Sequence, residues 1–190
     1  MDKRRIEAVE ELWSSVIELS PAKYASILMS TLKFDVCAKE AAKNPNFRQI
    51  FEVMGGTIDM NTIAKPNAIK LRPFLSEISW ALFSAYQSIV LFAVTQLQIL
   101  KSGLDMPDIL DTEKISNLVQ IALPHHTEYI KKYGSTGYHH LLEELETRLL
   151  KELQNILQGT DSDKASIEQA AAILKETDLI RESISNTSST

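Results

Sequence analysis

Apolar positions recur three and four residues apart along most of this chain, which is the period of helices with one buried face. Over residues 3–19, Ile6, Val9, Trp13, Val16 and Ile17 keep that spacing while Arg4, Glu7, Glu11 and Glu18 fall off the stripe. Ser20-Pro21 then reads as an N-cap followed by a proline in the first turn. It opens a second helix whose inward residues are expected to be Tyr24, Ile27, Leu28 and Leu32. Asp35 can cap a short helix to Lys43, and Asn44-Pro45 repeats the cap-plus-proline signature. The helix after it carries Phe47, Ile50, Phe51 and Met54 and stops at Gly55-Gly56. Residues 57–72 read as an irregular loop.

The periodicity vanishes between Glu77 and Lys101, where Ile78 to Leu100 carries no charge. Pro73 is expected to start this helix, and Gly103 closes it. Ala81, Ser84, Ala85 and Ser88 make a strip of small residues that lets a neighbouring helix approach closely, with Thr95 beyond it. Bulky side chains, among them Leu82, Phe83, Tyr86, Ile89 and Phe92, cover the remaining circumference. A helix apolar all round is either a core helix or a membrane span. Its length suits a span, but Gln87, Gln96 and Gln98 would be costly in lipid, and no second span accompanies it. The surrounding amphipathic helices also need an apolar partner, so the core assignment is preferred.

Amphipathic stripes resume after a connector at 104–111. One helix is expected over 112–122 with Ile115, Leu118, Val119 and Ala122 inward, and another from Pro124 to Gly134. Ser135-Thr136 can cap a long helix over 137–158, striped by Tyr138, Leu142, Leu145, Leu149, Leu153 and Ile156. An alanine-rich helix at 163–183, with Ile167, Ala170, Ala171 and Leu174 on one face, is expected to be loosely docked or free. No strand-like alternation occurs. The fold class is therefore all-α: a single-domain multi-helix bundle over 1–160 around a buried central helix at 73–101. A peripheral C-terminal helix at 161–184 and a disordered tail at 185–190 follow.

Composition narrows the functions. The 190 residues are 44% hydrophobic and 24% charged, ordinary values for a globular domain. Residues 1–72 hold 11 basic and 9 acidic side chains, whereas 105–190 hold 8 basic and 15 acidic. An acidic second half argues against a nucleic-acid surface, which needs clustered Lys and Arg. The single cysteine, Cys37, has no internal disulfide partner and no specific base to activate it. Met1-Asp2-Lys3-Arg4-Arg5 leads into an amphipathic segment rather than an apolar leader, so a cytoplasmic location is expected.

Candidate chemistry centres on four histidines within sixteen positions: His125, His126, His139 and His140. On the helix expected over 137–158, His139 and His140 lie four and three residues before Glu143, and either pair could point at one ion. A hairpin with 124–133 would bring His126 to them, so His126, His139, His140 and Glu143 are the candidate ligands of a metal protein or metal-dependent hydrolase. No HExxH or second Glu-x-x-His supports this, and no phosphate-binding glycine loop or nucleophile elbow is present. Trp13, Phe74, Trp80 and Tyr86 could line a pocket for a small apolar ligand, with Arg72-Pro73 at its mouth, or with Ser84 and Ser88 form an interface. No cofactor is indicated. The expected function is a non-enzymatic protein–protein interaction module, an accessory subunit that binds a protein partner or itself through spare amphipathic surface on 137–158 and 163–183. A helical-bundle metal protein and a small-ligand sensor are the alternatives.

Overall fold

The computed structural model describes residues 3–56, 58, 63, 67–104, 110, 112–134, 137–160 and 163–187. Within them the chain is all-α, with no strand. The helices are α1 (Lys3–Glu18), α2 (Ser20–Ser30), α3 (Phe34–Lys43), α4 (Pro45–Gly55), α5 (Glu77–Ser102), α6 (Thr112–Ala122), α7 (Thr127–Tyr133), α8 (Leu142–Gln158) and α9 (Lys164–Thr187). Short 3₁₀ segments occupy Asn67–Phe74, Pro124–His126 and Tyr138–Leu141.

Helix α5 is the axis of the bundle. Every residue from Ile78 to Leu97 is buried, and α2, α3, α4, α6, α8 and α9 all pack against it. It is the one helix among the described residues long and apolar enough to cross a membrane, and its apolar window is wholly covered by protein. The helix begins at Glu77 rather than at Pro73, which lies in the preceding 3₁₀ segment. Ser76 decides the start: its Oγ accepts from Ser79 N at 3.3 Å, satisfying one of the free amides of the first turn. Gly103 ends it at φ +70°, donating its N–H to Ile99 O. A side chain there would also strike Arg48, whose Nη1 caps α3 by donating to Ala41 O at 2.8 Å.

Small residues set how closely the helices approach. Ala81, Ser84, Ala85, Ser88 and Thr95 are all buried. Gly55 does more than stop α4: a Cβ at that position would lie 2.8 Å from Leu97 Cδ2, so its absence lets α4 rest on α5. Asn44 caps α4 as the sequence predicts, its Oδ1 accepting from Asn46 N and Phe47 N. Asp35 does not cap α3; it lies within the first turn, and the N-cap is Lys33 without a side-chain bond.

The inward faces of four helices differ from the expected ones; on α4, Phe51 is buried but Ile50 and Met54 are exposed. On α2 the buried residues are Ala22, Ala25, Ser26, Leu28 and Met29, while Tyr24 and Ile27 are exposed. The small side chains of Ala22, Ala25 and Ser26 take part of the inward face beside Leu28 and Met29. On α1, Leu12 and Val16 are buried but Ile17 is exposed.

On α9 the stripe is Ala170, Ile173, Thr177, Ile180 and Ile184, all buried, and Ile167 is exposed. This helix is neither peripheral nor loosely held; it packs on α5 more extensively than any other element. The second half of the stripe, Thr177, Ile180 and Ile184, lies beyond the expected face, which ended at Leu174. The described helix continues to Thr187, two residues beyond the start of the expected tail. The Ser135-Thr136 cap, most of the 104–111 connector and residues 188–190 lie outside the described residues.

Candidate functional site

Two polar clusters and two apolar surfaces stand out once the bundle is assembled. The first cluster joins three helices. Tyr86 on α5 donates its hydroxyl to Glu146 Oε1 of α8 at 2.7 Å, and Lys23 of α2 donates to the same oxygen at 2.9 Å. Burial, then the hydrogen bond and charge of Glu146, push the Tyr86 phenol well above its ordinary range. Tyr86 is therefore a fixed donor in a structural tie, not a pocket wall. Lys23 also lies 4.0 Å from Glu143, which is exposed.

The second cluster involves the histidines, in a different grouping from the one that spacing suggests. His125 and His126 follow Pro124 in a 3₁₀ turn, with ring centroids 4.5 Å apart. Both direct Nε2 to Glu144 at the start of α8: His125 pairs with Oε1 and His126 with Oε2. The potential ligand atoms of these three residues lie within 4.8 Å of one another. The Tyr129 ring stands edge-on to His126 at 6.1 Å. Partial desolvation raises the Glu144 carboxyl, but the hydrogen bonds and charges of the two imidazoles outweigh it and hold the group below its usual range.

His139, His140 and Glu143 do not join this cluster. An α-helix through 137–158 would align His139 and His140 with Glu143, but Tyr138–Leu141 is 3₁₀. At three residues per turn the His139–Glu143 register is lost. His139 turns into the core, where Nδ1 hydrogen-bonds Ser26 Oγ at 3.1 Å. Desolvation, and secondarily the charge of His140, lower its pKa to about 3, so it is a neutral core imidazole. His140 is exposed. Glu144 rather than Glu143 faces the histidines because one residue turns a helix by about 100°.

The four aromatic candidates do not share a pocket. A cleft of about 300 Å³ at the N-terminal end of α5 is lined by Arg72, Pro73, Leu75, Ser76, Glu77, Trp80 and Leu174. Trp80 alone of the four contributes, with the Arg72 guanidinium 5.5 Å from its ring centroid. Phe74 instead lies under Arg4 at 5.5 Å. Trp13 is half-buried against the core. Ser84 and Ser88 are interior, not interface, residues.

One exposed apolar surface lies on α3 and α4. Val53 is 78% exposed, Val36 63% and Ile50 49%, with Met54 beside them. Shallow grooves run over this surface, one lined by Val36, Cys37 and Phe47, the other by Asn46, Ile50, Val53 and Met54. Burial raises the Cys37 thiol above its ordinary pKa, the opposite of what a nucleophile needs. The spare surface expected on 137–158 and 163–183 is instead consumed by the core: the α8 stripe from Leu142 to Ile156 is buried. Periodicity alone could not separate these cases, since α4 has as clear a stripe as α8. Comparison with known protein families, with curated proteins and with solved structures gives no match.

Proposed function

We propose that this protein is a non-enzymatic protein–protein interaction module, an accessory or assembly subunit that acts in the cytoplasm within a homo- or hetero-oligomer. The observation that carries this reading is the apolar face of α4, where Ile50, Val53 and Met54 stand in solvent although the bundle core is complete without them. Contiguous exposed apolar side chains rimmed by polar ones favour contact with another protein. Asn46 and Gln49 line the groove on that face and supply polar side chains at its border. The test is native mass spectrometry of the untagged protein from its own host, wild type against Val53→Asp. The reading expects a multimer, or the chain with a second protein, that reverts to the bare chain in the variant while the melting temperature is unchanged. A wild-type monomer, or an assembly indifferent to Val53→Asp and Ile50→Asp, would refute it.

A second reading, a sensor for a small ligand, is favoured by the cleft beside Trp80 and Leu174. Its volume reaches the lower end of ordinary ligand sites. Thermal stabilisation by a bound ligand, abolished by Trp80→Ala and indifferent to Val53→Asp, separates it from the first.

A further inference from the structure

We propose that His125, His126 and Glu144 form a binding site for a divalent transition-metal ion of the zinc type, tying the 124–126 turn to the start of α8. The geometry comes from two elements far apart in sequence. The Pro124–His126 turn presents two successive imidazoles, and the first turn of α8 presents one carboxylate. Both Nε2 atoms converge on the two oxygens of that single carboxylate. Two imidazole nitrogens and one carboxylate are a donor set that zinc accepts, with the fourth tetrahedral position left to water.

The donor atoms already lie within 4.8 Å of one another. Tetrahedral coordination with bonds near 2.05 Å needs donors about 3.3 Å apart, so rotations of the side chains suffice. The site opens to solvent on the His125 side, since His125 is exposed and the other two are half-buried. An ion can therefore enter without the core opening. Without the ion, each imidazole directs Nε2 to Glu144 as a hydrogen-bond donor. With it, each ring offers the Nε2 lone pair to the metal and carries its N–H on Nδ1. Zinc is favoured over magnesium or calcium because those hard cations prefer all-oxygen ligands.

The test is calorimetric titration of Zn²⁺ into the untagged, chelator-stripped full chain. The expected result is one ion per chain, with affinity reduced at least tenfold in His126→Ala and in Glu144→Gln, and unchanged in His140→Ala. Circular dichroism shows whether each variant keeps its helices, and His125→Ala, the most exposed change, serves if His126→Ala does not fold. Absence of saturable binding, equal binding in wild type and ligand variants, or an equal loss in His140→Ala would each overturn the proposal.

Discussion

Arg181 on the last helix donates Nη2 to the side-chain oxygen of Gln87, in the middle of the central helix, at 2.9 Å. Gln87 in turn donates Nε2 to the backbone oxygen of Ile63. A buried amide that would be costly in lipid is thus satisfied from two sides. Burial lowers the Arg181 pKa, an effect that Asp178 opposes and Arg72 reinforces. Arg181→Ala leaves Gln87 Oε1 buried without this donor, and the expected loss is about 1–3 kcal/mol. Urea denaturation measures it. A loss confined to a few tenths would mean that the last helix is held by its apolar stripe alone.

The tie between Tyr86, Glu146 and Lys23 makes a second prediction. Glu146→Ala strands the buried Tyr86 hydroxyl and leaves a largely covered Lys23 ammonium with only its 4.0 Å pairing to exposed Glu143. Destabilisation by about 2 kcal/mol is expected, mostly from the unpaired donors. Tyr86→Phe removes one donor and leaves the Lys23–Glu146 pair intact, so its cost is smaller, about 1 kcal/mol. A double-mutant cycle on Tyr86 and Glu146 should return a coupling above 0.5 kcal/mol, the range for residues in contact. Additive losses would show that the two side chains do not share a bond in solution.

The central helix, the caps at Asn44 and Gly103 and the stripe of α8 were legible because each rests on local chemistry that sequence displays directly: missing charge, an Asn before a proline, a glycine after a hydrophobic run. The choice of inward face on α2, α4 and α9 was not. It depends on what α5 offers at each contact: Ala22, Ala25 and Gly55 permit close approach, whereas on α9 the buried stripe turns from Ala170 to Ile173, Ile180 and Ile184. The histidine site was half legible. His126 belongs to the cluster, but a 3₁₀ turn at Tyr138–Leu141 sends His139 inward and Glu144 takes the place expected of Glu143. Spacing rules cannot foresee that switch, since they presuppose the helix type.

Ser84 and Ser88 test the close packing directly. Both are buried, and neither Oγ has a hydrogen-bond partner among the described residues. Ser84→Leu or Ser88→Leu forces a large side chain into a filled interior and should destabilise by about 1–3 kcal/mol. Ser84→Ala keeps the volume and removes an unpaired hydroxyl, so it should be neutral or slightly stabilising. Opposite signs for the two substitutions at one position are the diagnostic result in chemical denaturation. Two neutral substitutions would show that the strip is not closely packed.

His139 makes the acid limb of the stability curve informative. Its pKa is about 3 in the fold and near 6.5 when the chain is unfolded. The unfolded chain therefore takes up a proton below pH 6.5 that the folded chain refuses. Stability from this group is constant above pH 6.5 and falls as the pH drops toward 3, with a limiting slope of about 1.4 kcal/mol per pH unit. The range from pH 6.5 to 5 is the useful one, because carboxylates begin to contribute below it. His139→Gln cannot titrate. It loses absolute stability with its Ser26 contact, yet its stability should change less with pH across that range than the wild type's. Urea midpoints measured at half-unit steps give the two slopes, and equal slopes would show that His139 is not held neutral in the core.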